Sequence, residues 1–447
     1  MTNTAPLQQP RLLILILGLL TAIGPLSIDM YLPAFPVIAH DLQTTVEQIG
    51  YSLSAFFIGV CIGQILSGPL LDRYGRKKPL YVGLTLYIFS SIGCALSGSV
   101  SMLIGFRFLQ ALGGCVAMIA PAAIVRDVFP VEKSASVFSL LILILGVSPI
   151  LAPTLGGLLA GSRGWPLIFI VLALICAGIL ALVIFKLPDT YTPNTNLSLH
   201  PKTILQNFRE VIREQQFTTY SFSGNIAAAG LFAYLAGSPF VFMSIFHVSQ
   251  QQYGWIFGLI AAGLITCSQL NNLLLKKYNS AQILKVVQLV QTCFGIVLLA
   301  GTLSGFFTLY GFTLTTLLFL SCQGFTFPNS ATMAMAPFTR IAGSASALMG
   351  SLQMALGALA SSLVGLFFNG TAQPLVIIMA ACSAVGFLLL LAGQASVGVH
   401  EIVGVVAAAA VVDRRHVVAA ADPVPVARST ADHHIASIPT TGIGQPH

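Results

Sequence analysis

Charged side chains are nearly absent from this sequence: 20 Lys and Arg and 13 Asp and Glu stand among 447 residues. Soluble chains carry about a quarter of such residues, so 7% charge with a mean hydropathy of +0.90 excludes a soluble globular protein. No Gly-Lys dipeptide occurs, which excludes a Walker A loop and ATP hydrolysis by a P-loop of the chain's own. The eight cysteines form no CxxC pair and all fall in apolar runs, where they read as small packing residues rather than metal or redox ligands. The apolar runs also lack a His pair and a carboxylate pair, so an integral membrane enzyme or metal centre is disfavoured, and no cofactor or metal is expected. The net charge of +7 comes from bases set singly or in short loops. That is a topology signal and not a nucleic-acid footprint. No cleavable leader is read, because the first apolar run, from Leu12, continues as a span.

What is present is apolar length. Runs that can cross about 30 Å of hydrocarbon as helices fall at 12–31, 48–70, 79–98, 101–123, 135–160, 166–186, 217–246, 253–275, 282–303, 306–329, 342–368 and 373–393. These twelve predict an all-α integral membrane fold of two six-helix halves: residues 1–186 and 217–393, with a cytoplasmic central loop at 187–216. Within that loop Ile204, Leu205, Phe208, Val211 and Ile212 share one face opposite Lys202, Arg209 and Arg213, which predicts an amphipathic helix on the membrane surface. Residues 394–447 differ in kind: they contain no Leu, Phe or Lys, and Val and Ala fill 22 of 54 positions. This tail reads as a change of reading frame or as a disordered extension, and it is expected to be dispensable.

The stretch Gly68 to Lys78 holds five charges between two apolar runs, so it is a short turn outside the bilayer. Its four bases assign it to the cytoplasm. With that orientation fifteen Lys and Arg fall on cytoplasmic segments and only Arg163 on the other side, with both termini cytoplasmic. The halves look alike: Tyr74 corresponds to Tyr278 and Ser134-Ala135-Ser136 to Ser344-Ala345-Ser346, at offsets of 204 and 210. A duplicated unit is a common origin of transporter folds.

Gly68, Asp72, Arg73, Gly75, Arg76 and Lys77 match GxxxD(R/K)xG(R/K)(R/K), and the chain thereby resembles the major facilitator superfamily of transporters. The positive-inside rule accounts for the bases but not for the two glycines or Asp72.

Only a handful of charges fall within the spans, and because burying a charge is costly the two best placed, Asp29 and Arg107, are functional candidates. Asp29 ends a stripe of Gly18, Ala22 and Pro25 on the first helix; Arg107 opens a stripe with Gln110, Gly114, Met118 and Pro121 on the fourth. Both are expected to point inward, where movement of the cavity between wet and dry, or of Arg107 toward and away from Asp29, would load and unload a proton. A solvated helix end for Asp29 and an outward-snorkelling Arg107 are the alternatives. Gly146, Pro149, Pro153, Gly156 and Gly157 punctuate the fifth span and predict a bent, closely packed helix that seals the halves. Asn225, Tyr234, Ser238 and Gln323 in the second half, with Tyr31, Gln110 and Met118 in the first, are candidates for the substrate cavity; polar contacts between helices are the competing role.

Asp29-Met30-Tyr31-Leu32-Pro33, the run from Arg107 to Gly114, and Ala152-Pro153-Thr154-Leu155-Gly156-Gly157 resemble the Bcr/CflA group of bacterial drug:proton antiporters. The last departs from the antiporter signature GPxxGG in having Ala152 for the first Gly. The resemblance covers residues 12 to about 393. It implies a monomeric multi-pass exporter of amphipathic drugs or small metabolites in the bacterial inner membrane, in which Asp29 is the proton-linked acid and Arg107 its partner. It further implies that Asp72, Arg76 and Asp127 form a charge latch steadying the outward-open state. Import of a small solute by the same fold is the alternative; a channel is disfavoured because the buried charges are few and opposite in sign.

The topology is directly testable. Cysteines at Ala39 and in the Gly161 to Gly164 loop should label from outside intact cells, and one at Lys77 only after permeabilisation. Labelling of Lys77 in intact cells would reverse the orientation.

Overall fold

The computed structural model describes residues 10–129, 131–188, 201–338 and 341–394, all within one compact unit. The tail beyond residue 394, residues 189–200 of the central loop and Arg340 lie outside the described residues. Helices of spanning length follow one another as α1 (Pro10–Asp29), α2 (Val46–Tyr74), α3 (Lys77–Ala95), α4 (Val100–Val128), α5 (Val131–Arg163) and α6 (Pro166–Lys186). The second set is α7 (Gln215–Pro239), α8 (Gln250–Leu274), α9 (Ser280–Leu303), α10 (Leu309–Ser321, resuming as Gln323–Met335), α11 (Ala342–Leu366) and α12 (Gln373–Gln394). Ten are long and apolar enough to cross a membrane as they stand. The other two are α3, which opens on Lys77 and Lys78, and α10, interrupted at Cys322. Helix suits this medium because every backbone group is satisfied within its own segment.

The first-turn N–H groups, which have no partner inside a helix, are capped by polar side chains. Thr45, Ser99, Ser249, Asn279 and Thr308 each accept a hydrogen bond from the backbone N–H three residues on. Ser249 with Gln252 and Asn279 with Gln282 form complete capping boxes. Ser249-x-x-Gln252 lies 204 residues after Thr45-x-x-Gln48, the offset that relates Tyr74 to Tyr278. The duplication thus extends to the caps.

Within the first six helices α4 packs on α1, α2 and α3, and within the second six α7 and α8 pack on α10. The two groups meet along two joints, α2 on α11 and α5 on α8. Ser54 Oγ and Ser361 Oγ share a hydrogen bond of 2.8 Å across the first joint. In the second, Thr154 faces Gly254 and Ile150 faces Gly258. The small residues let the backbones approach closely.

The end of the bundle opposite the basic turn is where the chain departs from regular helix. α1 stops at Asp29, two residues short of the expected span; a 3-10 turn, Leu32–Ala34, and a short helix, Phe35–Asp41, follow. α7 continues past Pro239 as a π-helical turn, Phe240–Ile245. Ala39 is buried at 5% exposure, so a cysteine there would not report on solvent; His40, whose side chain is 90% exposed, is the usable labelling position. At the basic end the helix Pro201–Arg213 forms as expected, but it does not simply lie on a membrane surface. Val211 is buried in a cluster with Phe217, Tyr220, Leu284 and Leu390, while Leu205 and Ile212 remain exposed.

Gly156 in α5 fits against the break in α1 so closely that an added Cβ would overlap the Met30 carbonyl. Gly161, one turn on, faces open space. Gly156→Ala should therefore lower stability in detergent by about 1–3 kcal/mol through overpacking, whereas Gly161→Ala should be neutral or slightly stabilising. Thermal unfolding of the two variants provides the comparison, and equal midpoints would show that α5 and α1 are not in this contact.

Candidate functional site

The basic turn is held by one arginine. Gly75, at φ 81°, ends α2 in a conformation that favours residues without a Cβ and turns the chain so that Arg76 folds back over the helix end. Arg76 is 7% exposed; Nη1 donates to Asp72 Oδ1 at 2.7 Å, Nε to Asp127 Oδ2 at 2.7 Å and Nη2 to Asp127 Oδ1 at 3.2 Å. Burial alone would lower the Arg76 pKa, but hydrogen bonds and charge from Asp127 and Asp72 outweigh it and hold the group above its ordinary value. The three charges expected to form a latch are thus brought together. Gly68 has a different reason from Gly75: a Cβ there would meet nothing within 4 Å, and the Asp72 side chain beside it is 51% exposed. Arg73 lies over the Tyr74 ring at 5.7 Å, and Lys77 begins α3.

Arg107 is wholly buried, but inside the first six helices and not in the seam between the groups. Nη1 donates to Gln110 Oε1 (2.6 Å), Gln110 Nε2 to Ser91 Oγ (2.7 Å), and Ser91 Oγ to the Tyr87 carbonyl (2.7 Å). The guanidinium carbon stands 4.4, 4.7 and 5.8 Å from the ring centroids of Phe56, Tyr31 and Phe169. Ring faces attract a cation where water is excluded, and they surround Nε and Nη2, which have no hydrogen-bond partner. The Tyr31 hydroxyl is in turn bonded to Ser52 Oγ at 2.8 Å. The rest of the α4 stripe faces its own group too: Gly114 abuts Tyr87 and Met118 lies against Gly24.

Asp29 is the last residue of α1, 5% exposed, and has no hydrogen-bond or ion-pair partner among the described residues. Its charge reaches across the seam to Tyr234 on α7 and Tyr253 on α8. Ser238 Oγ is hydrogen-bonded to the Tyr253 hydroxyl at 2.8 Å. The Tyr234 ring stacks on Phe257, centroids 6.0 Å apart and planes at 28°, and its hydroxyl is buried without a partner in hydrogen-bond geometry. The expected pairing of Asp29 with Arg107 is absent from this conformation. Tyr253, Phe56, Phe169 and Ser91 escaped the sequence reading; neutral residues in apolar helices carry no signal that separates a cage or a docking site from ordinary core.

Of the other cavity candidates, Asn225 Nδ2 donates to Ser221 Oγ (3.3 Å) and the Met349 carbonyl (3.2 Å), and Gln323 Nε2 to the Ala227 carbonyl (2.7 Å). Both join helices here, as does Asn329 Nδ2 to Asn271 Oδ1 at 2.7 Å. In α5, Gly146 lies against Ile265, Gly157 against Gln250 and Gly156 against Met30, while Pro149 and Pro153 lie inside the helix between them.

Residues 17–362 match the model of the Major Facilitator Superfamily. The chain is 33% identical over 390 residues to an uncharacterized MFS-type transporter, YdgK, of Bacillus subtilis, covering 86% of this chain and 96% of the relative. It is 29% identical to a bicyclomycin resistance protein homolog of Haemophilus influenzae, covering 84% and 94%, and 29% identical to multidrug resistance protein MdtL of Escherichia coli, covering 86% and 96%. The fold is that of a solved D-xylose-proton symporter, with a TM-score of 0.67 at 14% identity over 85% of this chain and 96% of the other.

The latch geometry sets an order of severity. Asp127→Asn removes the charge and one of the two oxygens that accept from Arg76 in a contact that is 15% exposed, and breaking such a buried pair costs up to about 3–5 kcal/mol, less here because Asp72 still pairs with Arg76. Asp72→Asn removes the charge from one bond at a half-exposed group, worth under about 1 kcal/mol. Both variants should insert, with transport reduced more by Asp127→Asn. An equal loss in the two would mean that the turn acts through its net charge alone.

Proposed function

The chain belongs to the Major Facilitator Superfamily, a family of transporters and not of enzymes, and from that premise we propose that it exports amphipathic drugs or small metabolites in exchange for protons. It works by alternating access, the two six-helix groups rocking about the α2–α11 and α5–α8 joints to expose a central site to one side of the membrane at a time. It does so as a monomer in the bacterial inner membrane, with the turn at Arg76 and both termini in the cytoplasm. The drug-resistance names of the Haemophilus influenzae and Escherichia coli relatives support the substrate class and the direction.

One observation carries the proton coupling. Asp29 is a carboxyl group buried at the seam of the two groups with no cation paired to it. An ionised carboxylate held there is costly, so its proton and the position of the seam depend on each other. Arg107 contributes by holding Tyr31, two residues on, against the first group: its charge is retained by three rings and Gln110 and does not travel with the substrate. The fold likeness to a sugar symporter speaks for the architecture alone.

Asp29→Asn keeps the shape and most hydrogen bonds of the acid but cannot release a proton at physiological pH. It should abolish protonophore-sensitive efflux of bicyclomycin, by at least tenfold in rate, while the purified variant still binds the antibiotic. In the parent, affinity should fall as pH is lowered, because proton and drug oppose each other by linkage; in Asp29→Asn that dependence should vanish. Retention of the full pH dependence in the variant would place the coupling elsewhere.

A further inference from the structure

We propose that Tyr234, Ser238 and Tyr253 form a receiving site in the second six helices for the carboxyl group of Asp29, and that the proton held at this contact keeps the end of the bundle opposite the basic turn closed. The inference rests on the role given to Asp29 above and adds the groups that read its proton.

The geometry supplies both halves of the contact. On the first group, Asp29 ends α1 with no partner of its own, and the residues just beyond it, Leu32–Ala34, pack against α7 and α8. Across the seam, the Tyr234 hydroxyl is buried near Ser238 but makes no bond in good hydrogen-bond geometry, while its ring is fixed by stacking on Phe257. Ser238 anchors the Tyr253 hydroxyl at 2.8 Å beside it. A protonated carboxyl offers one donor and an acceptor, and a phenol offers one of each, so the two unpartnered groups can satisfy one another without a net charge. A buried phenol without a well-aligned partner, costly to leave so, and a carboxyl with no hydrogen bond among the described residues thereby become a reason for the seam to close.

Loss of the proton reverses the balance. On the helices against which the Leu32–Ala34 turn packs, Tyr234 and Tyr253 are the titratable groups that feel the Asp29 charge. From the elements packed on α1, Arg107 on α4 faces Tyr31, Phe56 and Phe169 and forms no ion pair with Asp29. His40 and Asp41 pair with each other at the exposed end of the short helix. Two neutral phenols cannot balance an ionised carboxylate as a cation would, and the nearest relief is water. Movement of the α1 end away from α7 and α8 admits that water. Gly156, seated on the Met30 carbonyl, would carry α5 with it. Tyr31 stays with the first group because its ring covers Arg107 and its hydroxyl holds Ser52. The Asp29 contact is accordingly the one that breaks and Tyr31 the one that persists.

Distances between spin labels on His40→Cys and Tyr310→Cys, both exposed positions at that end on opposite groups, measured across a pH series in lipid nanodiscs without added drug, test the inference. The parent should shift from a short to a long distance as pH rises. Tyr234→Phe with Tyr253→Phe, which keeps the rings and removes the hydroxyls, should move the midpoint by at least tenfold in proton concentration toward acid, since closure then needs more protons. Each single change should move it part of the way, and Ser238→Ala less than either. Asp29→Asn should stay at the short distance throughout. If Asp29→Asn abolishes the transition but the double tyrosine variant leaves its midpoint unchanged, the receiving site is refuted and Asp29 couples without it. If Asp29→Asn keeps the parent transition, the coupling role of Asp29 falls and this inference with it.

Discussion

Hydrocarbon cannot solvate a charge, and the arrangement of this molecule follows from how three charged groups meet that constraint. Arg76, at the edge of the bundle, is met by two carboxylates. Arg107, deep among the first six helices, is met by three aromatic rings and one amide. Asp29, at the seam, has no hydrogen-bond or ion-pair partner among the described residues. The first two solutions lie within one six-helix group and stiffen it. The third is incomplete by design of its position, and an incomplete solution is what allows a group to respond to protons.

Much of the fold was legible because the bilayer imposes a length. Twelve runs of apolar residues could be counted without knowing how they pack, and the basic turn could be recognised because Asp72 and Arg76 stand four residues apart beside a glycine that must adopt positive φ. The facing of Arg107 was not legible. A stripe such as Arg107, Gln110, Gly114 and Met118 identifies residues that share one side of a helix, but not which neighbour covers that side; here α1 and α3 do, and the guanidinium lies in the core of its own group. Tyr31, grouped with the cavity residues on the same logic, turns out to be a wall of the arginine cage. Tyr253 had no sequence signal at all, since an aromatic residue one turn into an apolar helix is ordinary core until the opposite surface is known.

The helix ends were misjudged for a related reason. Apolar content alone carries α1 to residue 31 and begins α10 at residue 306, whereas the backbone stops at Asp29 and starts at Leu309. At Asp29 the Leu32–Ala34 turn, with Pro33 in it, ends the regular ladder; at Thr308 the side chain caps the first turn. The burial of Ala39 has the same origin. A short helix after the break folds back onto the end of α2 and is part of the closure, so a position that reads as a loop is interior.

The joints and the closure are built from different chemistry. α2 meets α11, and α5 meets α8, largely by glycines of one helix set against side chains of the other, with Ser54 to Ser361 a directional bond across the first joint. The proposed closure at the α1 end uses hydroxyls and one carboxyl, which are directional and change with protonation. Under the proposed coupling, hinges indifferent to protons and a gate sensitive to them would convert a proton gradient into a preferred direction of opening. Gly156 connects the two, since the same α5 helix that rolls on α8 is seated on the carbonyl next to Asp29. In the proposed mechanism, motion at the gate is therefore coupled to motion at the joint, and that mechanical link is how the protonation of Asp29 would reach both six-helix groups.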